Sequence, residues 1–441
     1  MAEIKPFQGI RYNTAKTDEL SDLICPPYDI ISADAQDKYY QKSQYNMIRI
    51  EFGKEFPDDD DKSNKYIRAS RYLTDWLEQN ILSKDVKPSI YIYQQQFSIN
   101  GEKSFTRTGF IALTKLEDLS KGVVLAHENT LSKPKSDRLN LMQSCHANIS
   151  PVYVLYEDTD KSISKILFDH ISNNEPQVDV EGINGISERL WVLSAKDILD
   201  NIVRIMGDKK LFIADGHHRY ETALNYRKKA IAEDNSHTGD EPYNYTMMLM
   251  VDMDDPGLLI LPTHRAINGL KDFDKEEFIN KAEEEFDVEF HKLSETTSEK
   301  RSSEIEKLLD EKGAGAFVLY DASAPQCVTL KLKDFSSMER VFPSKHVSFR
   351  NLDVCVLHKL LLERFLGIGE EQLANQQYLT YTHDILEGVN WVESGKCQMV
   401  FFMSATSVKQ VRDVSLAGEK MPQKSTYFFP KPPTGLVFNK F

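Results

Sequence analysis

Over 62–82, directly after the acidic run 58–62, the apolar residues Tyr66, Ile67, Ala69, Tyr72, Leu73, Trp76 and Leu77 recur at helical spacing and predict an amphipathic helix. The period then shortens. Ile90, Tyr91, Ile92 and Tyr93 run into glutamines, and Asn100-Gly101 precedes Phe105 and an apolar stretch over 110–113. Asn-Gly between β-rich arms predicts a hairpin, because a type I′ turn needs positive φ at both central residues. Residues 150–158 read as another strand. From 189 strands and helices alternate: strand 190–193, a helix capped by Ser194 and carrying Ile198, Leu199, Ile202 and Ile205, strand 211–214, and helix 217–232. Segments 247–251 and 258–261 read as strands of the same sheet. Charged helices follow over 274–286 and 298–312, then strands 316–320 and 328–332, helix 352–366 and strand 398–403. This order predicts a mixed α/β (α+β) fold rather than a barrel of hairpins. Soft borders near 180 and 270 divide it into 1–180, 181–270 and 271–441.

The 441 residues suffice for two or three structural units with a core that needs no disulfide or metal. A formal charge of −14 disfavours general nucleic-acid binding, which depends on Lys and Arg displacing counterions. The five cysteines are scattered, odd in number and without a CxxC pair, as expected of reduced thiols in a cytoplasm. No apolar run approaches the ~20 residues that span a bilayer, and the amino terminus lacks the pattern of an export signal.

The strongest chemical signal is Phe212-Ile213-Ala214-Asp215-Gly216-His217-His218-Arg219-Tyr220, an apolar strand that ends in DGHHR and opens a helix. Polar groups at the carboxyl end of a strand, beside the free N–H groups of a helix start, make an anion site. Gly216 permits a tight turn, Asp215 could hold a cation or take a proton, and Arg219 could pair bidentately with phosphate. A helix capped by Asp215, with its histidines satisfied by neighbours, fits the same residues. A second cluster, His127-Glu128-Asn129-Thr130 followed by Lys133, Lys135, Asp137 and Arg138, reads as a loop whose cations could grip phosphate, or as a solvated charged loop. In Cys25-Pro26-Pro27-Tyr28-Asp29 two prolines stiffen a turn that could place Tyr28 and Asp29 over a site, whereas Cys25 reads as a small apolar residue rather than a nucleophile. His264-Arg265 follows a predicted strand end, and Lys431, between prolines, reads as part of a structural tail that could reach the same pocket. The chain has no GxxxxGK[ST], GxGxxG or GxSxG motif, which argues against P-loop, dinucleotide-binding and α/β-hydrolase chemistry. His127-Glu128 also lacks the second histidine of a zinc protease.

The segments KPFQGIRYN (5–13), CPPYD (25–29), HENT…DRL (127–139), FIADGHHRYETAL (212–224), LPTHR (261–265), LDVCVLH (352–358) and STYFFPKPPTGLVF occur in order along the chain. Together they resemble the bacterial and archaeal family named domain of unknown function ten-fifteen. More distantly, the strand-DGHHR-helix unit is similar to the ParB and sulfiredoxin superfamily, especially its free-serine kinases, which use ADP or ATP. The resemblance implies a ParB/sulfiredoxin-like core over 181–270 with DGHHR, a large insertion, an N-terminal α/β region with CPPYD and HENT, and an additional C-terminal α/β region. Members of the ten-fifteen family are commonly encoded beside phosphoserine aminotransferase and phosphoglycerate dehydrogenase, so the implied reaction is phosphoryl transfer between serine or phosphoserine and a nucleotide. Asp215, Gly216, His217, His218 and Arg219 would form the core of that site, with Asp215 on Mg²⁺ or orienting the nucleotide phosphate. Glu128 or Asp29 would exchange the serine proton, and Lys133, Lys135 and Arg138 would offset polyphosphate charge. His127, Asp137, Tyr28, His264 and Arg265 would complete the binding surface as a basic pocket in an acidic shell. Departing from the kinases, roughly 180 residues separate CPPYD from DGHHR here. The rival readings are a nucleotide-independent phosphatase and a ParB-like nucleotide- or DNA-binding regulator, although neither a basic face nor a helix-turn-helix is visible.

Overall fold

The computed structural model describes residues 1–441 except 100, 102, 131, 272, 295, 322–325, 375 and 376. The β-rich arms around Gly101 form a long antiparallel hairpin, Ile90–Ile99 against Lys103–Lys115, with Tyr91 opposite Ile111 and Ile99 opposite Lys103. Gly101 has φ +72°, while Asn100 of the expected turn lies outside the described residues.

This hairpin is the middle of a nine-stranded mixed sheet. Its order is Val124–Leu125, Leu211–Asp215, Val152–Tyr156, Tyr245–Asp252, Lys103–Lys115, Ile90–Ile99, Ser187–Leu193 and Val178–Glu181, with Ile4–Lys5 added along Lys103–Lys115. The Leu211–Asp215 strand runs parallel to Val124–Leu125 and antiparallel to Val152–Tyr156. Val152–Tyr156 and Tyr245–Asp252 are buried at every position, as strands covered on both faces must be. One cluster packs Ile90, Ile92, Phe110, Val154, Ile213 and Met250 of the sheet against Leu199, Ile202, Tyr220 and Ala223 of helices.

By its contacts the chain divides into two compact units. The first comprises Met1–Ala126, Thr130–Leu259 and Pro430–Phe441; the second comprises His127–Asn129 and Ile260–Phe429. In the second, six strands form a wholly antiparallel sheet in the order Phe286–Lys292, Gln326–Leu332, Ala316–Asp321, Met399–Met403, His264–Ile267 and Leu379–Thr382. The alternation of a strand divides its core. Val318, Tyr320, Val400 and Phe402 pack with Ile305, Leu309, Val389 and Val392 of helices Ser298–Lys312 and Ile385–Glu393. Phe317 and Phe401 turn the other way, towards Phe286 and Phe278, which both meet Phe365.

Several expectations are corrected. The first amphipathic helix is Lys65–Glu78, started by Asn64, whose side chain accepts from the N–H groups of Tyr66 and Ile67. Ser194 caps nothing: helix Lys196–Met206 follows Ala195 without a side-chain cap. Strand Leu259–Leu261 lies outside the nine-stranded sheet. The region read as a cationic loop after Thr130 is the helix Ser132–Cys145, whose Pro134 sits in the first turn, where a missing N–H is harmless. Its buried face is Arg138, Leu141, Met142 and Cys145, a helical i, i+3, i+4, i+7 stripe with an arginine in an apolar position. Helix 352–366 divides into Asp353–Val356 and a π-helix, Leu357–Phe365.

Gly257 packs so tightly that a Cβ there would lie 2.4 Å from the backbone of Thr106. Because backbone cannot swing aside as a side chain can, Gly257→Ala is expected to destabilise the first unit by about 1–3 kcal/mol. A lower urea midpoint at unchanged slope would register that loss.

Candidate active site around Asp215

Asp215 ends its strand, and Gly216 turns the chain at φ +86° into helix His217–Glu233. Gly216, not Asp215, holds the cap position, and no side chain caps this helix start. The carboxylate is used differently. Arg219, one turn on, donates from Nη2 to Asp215 Oδ2 at 2.5 Å and from Nη1 to the carbonyl of Pro151. A Cβ on residue 216 would lie 2.8 Å from Arg219 Nε, so glycine leaves room for the guanidinium to fold back across the turn. Arg219 Nε itself is buried with no hydrogen-bond partner among the described residues.

The other oxygen, Oδ1, accepts from Lys431 Nζ, which also stands 3.6 Å from Asp29 Oδ2. This lysine arrives by way of two long-range pairings. Cys25 N–H donates to the carbonyl of Thr434 at 3.1 Å and Thr434 N–H to that of Cys25 at 2.8 Å, laying the PKPPT segment beside CPPYD. Arg107 Nη2 donates to the Pro430 carbonyl at 2.5 Å. Asp29 lies in the short 3₁₀ turn Tyr28–Ile30 that Pro26 and Pro27 introduce. It is the open member of the trio, 34% exposed against 7% for Lys431.

A second layer supports this one. Glu51, wholly buried, accepts from Tyr28 N–H at 3.3 Å and Ser150 Oγ at 3.2 Å, and lies 3.6 Å from Arg138 Nη1. Arg138 stacks on the Tyr28 ring at 4.1 Å and donates from Nη2 to Asp137 at 2.6 Å, while Asp137 also binds Lys65 at 2.7 Å. Lys135 and Thr130 both donate to Glu221, at 3.0 and 2.6 Å. A cavity of about 30 Å³ bounded by Glu51, Arg138, Ser150 and Arg219 has room for a single water.

Electrostatics follow from this pairing. Burial alone would raise the Asp215 pKa, but Lys431 and Arg219 outweigh it and hold the carboxyl well below the usual carboxylate range. Burial would likewise lower Lys431 and Arg219; Asp215 and Asp29 raise both instead. Asp137 is raised by burial but drawn down by Arg138 and Lys65 to about 2. Burial lowers the His218 pKa despite Glu221 and Asp29, so its ring is neutral at pH 7. Cys25 is fully buried, and burial pushes its thiol well up, as befits an apolar role.

The structure thus brings together Asp215, Gly216, Arg219 and Asp29, with Tyr28, Arg138 and Asp137 in the supporting layer and His217 and His218 on the first turn of the helix. Lys133 is exposed at the start of its helix. His127, Glu128, His264 and Arg265 belong to the second unit. There His264 is a core residue: its ring meets Phe402 edge-on at 5.0 Å and Nδ1 accepts from the backbone N–H of Met403. The expected basic pocket is instead an alternating network, in which Arg138, Arg219 and Lys135 each hold a carboxylate. Mg²⁺ on Asp215 does not fit either. Both its oxygens are engaged by cationic side chains, and among the described residues no group of three or more His, Cys, Asp or Glu side chains is placed to hold a metal ion. Lys431, read from sequence as part of a structural tail that could reach the pocket, is at its centre; Glu51 and Arg107, which carry no motif, are the residues that sequence reasoning missed.

Replacing Lys431 by Met removes a charge-assisted bond from a buried carboxylate and is expected to cost about 1.5–3 kcal/mol in urea unfolding. Because the folded pKa of Asp215 is depressed, its contribution is complete above the unfolded value of about 3.9 and is lost as pH falls below it. Between about pH 5 and pH 3 the native protein should therefore lose stability more steeply than Asp215→Asn; parallel curves would contradict the pairing.

Among solved structures the chain is similar to a conserved hypothetical protein from Pyrococcus furiosus, at 15% identity and TM-score 0.34 over 74% of this chain and 94% of that one. It is also similar to a free serine kinase mutant in complex with ADP, at 12% identity and TM-score 0.36 over 72% and 87% of the two chains. Free serine kinase in complex with AMP matches at 13% identity and TM-score 0.34, over 72% and 86%. No curated protein matches the sequence. The family model described as protein of unknown function (DUF1015) spans residues 4–355, and with CPPYD, HENT, DGHHR and LPTHR all inside that span the chain belongs to this family.

Proposed function

We propose that this protein is a small-molecule phosphotransferase, built on a ParB/sulfiredoxin-like core, that moves a phosphoryl group between O-phospho-L-serine or L-serine and ADP or ATP. The observation that carries the reading is the meeting of Lys431, Arg219 and Asp29 at the open amino terminus of helix His217–Glu233. Phosphoryl transfer asks chiefly for positioned positive charge around three equatorial oxygens, in line with attacking and leaving oxygens. Arg219 offers a guanidinium, Lys431 an ammonium, and the helix start, which no side chain caps, the positive end of its dipole. Asp215 keeps both cations charged and aimed, which makes it a positioning residue. Asp29, the exposed carboxylate, takes the hydroxyl proton as serine Oγ attacks the terminal phosphorus of ATP and ADP leaves. In reverse, the serine ester P–O bond breaks, a P–O bond to ADP forms, and Asp29 returns the proton to the serine oxygen. No step is routed through a metal ion. The resemblance of DGHHR to the motif of free-serine kinases supports the choice of substrate.

Incubation of the purified protein with phosphoserine and ADP, and separately with serine and ATP, tests the reading by product analysis. Asp29→Asn should lower kcat by about 10²–10⁴-fold, and Arg219→Met by about 10²–10³-fold. Inorganic phosphate released from phosphoserine without nucleotide would favour the phosphatase instead, and inertness in both directions would remove the proposal.

A further inference from the structure

Arg265 is a fully buried guanidinium without an acid. It donates from Nη1 to the Thr263 carbonyl, from Nη2 to the Lys424 carbonyl at 3.0 Å, and pairs Nη2 with His358 Nε2 at 3.1 Å. Nε has no partner, and no carboxylate lies within ion-pair reach among the described residues. Burial pulls its pKa down to about 10, with only Tyr381 opposing. Arg219, less enclosed, has Asp215; a fully enclosed charge lacking such a partner is held at the expense of stability unless something else supplies the anion.

Two residues that touch Arg265, His358 and Tyr381, form part of the wall of a cavity of about 360 Å³ contained within the second unit. This is the size range of small-molecule sites. Since His358 Nε2 accepts from Arg265, the ring proton resides on Nδ1, and burial keeps the ring neutral. Neither His358 Nδ1 nor the Tyr381 hydroxyl has a hydrogen-bond partner among the described residues. Lys345, Lys359 and Lys420 add cations to the lining; Lys345 is held by Glu419 at 2.7 Å and Lys359 by Glu363 at 2.6 Å, so both ammonium groups are oriented by an acid. Phe342 and Phe349, edge to face at 5.2 Å, supply an apolar wall. His358 also lies in the π-helix Leu357–Phe365, a wide turn found frequently at functional sites.

We propose that this cavity binds a small organic anion, whose carboxylate or phosphate group meets His358, Tyr381 and the lysines while its apolar body lies against Phe342 and Phe349. Arg265 acts behind the wall, orienting His358 as a donor and adding positive potential. The site is independent of the phosphotransfer reading, and its occupant need not be a substrate of that reaction.

Calorimetric titration of the full chain with phenyl phosphate, benzoate and inorganic phosphate tests it. Saturable binding of phenyl phosphate or benzoate is expected, stronger than that of inorganic phosphate, and whichever organic probe binds more tightly identifies the charged group. In the double variant Lys345→Glu and Lys420→Glu, shown by circular dichroism to be folded, affinity should fall by about tenfold or more. His358→Leu should weaken binding similarly. Absence of saturable heat with every probe, or affinity unchanged in the folded lysine variant, would overturn the proposal. The second outcome also separates this cavity from phosphate binding near Asp215.

Discussion

Asp215 accepts from Arg219 on one oxygen and from Lys431 on the other, and much of the first unit is arranged to make that possible. A carboxylate so enclosed is tolerable only when paired, and the pairing has to come from elements that hold their own positions. The helix after Gly216 supplies one cation from a single turn away. The other comes from a segment anchored by the backbone of Cys25 and by the guanidinium of Arg107. Tyr28 and Asp29 are consequently placed by the same pairing that delivers Lys431, and Glu51 and Arg138 brace them from beneath. Were the carboxylate neutral, the backbone pairings would still hold the proline-rich turn, but the ammonium of Lys431 and the guanidinium of Arg219 would lose the shared anion that orients them.

How far these features could be read from residues alone depended on whether their causes were local. The strand, the turn at Gly216 and the helix through Tyr220 are adjacent in sequence, so apolar run, glycine and helical spacing displayed them directly. The helix Ser132–Cys145 was hidden because Arg138 takes an apolar position in its stripe, which makes an amphipathic pattern resemble a charged loop. Lys431 was left ambiguous for another reason: its partners lie far away in sequence, and the pairings of Cys25 with Thr434 and of Arg107 with Pro430 bring them within reach. His264 illustrates the reverse error, a histidine conspicuous in a motif yet packed on Phe402. The mixed α/β character followed from the order of elements, whereas the wholly antiparallel sheet of the second unit depends on pairings between distant strands that no local period reveals.

The net charge of −14 takes on a different meaning beside the structure. Positive side chains of the first unit are not gathered into a basic basin; they alternate with carboxylates, so that each is oriented while the local field stays moderate. Such alternation fits the phosphotransfer proposed above, in which a small charged ligand is held and its product released, since strong uniform potential would retain both. Two arginines show the contrast within one chain: Arg219 is oriented by an acid, Arg265 by carbonyls and a neutral imidazole.

The first unit is discontinuous, with residues 260–429 forming an excursion between Leu259 and Pro430. Closing so long a loop carries an entropic penalty. Without the return of the chain at Pro430, Asp215 would have its neighbour Arg219 but not Lys431, and the proline-rich turn would lack its backbone bridge to Thr434. Compaction of residues 260–429 shortens the effective loop and so favours the return of Lys431. The pairing of Lys431 with Asp215 thus rests on where the chain re-enters the first unit at Pro430.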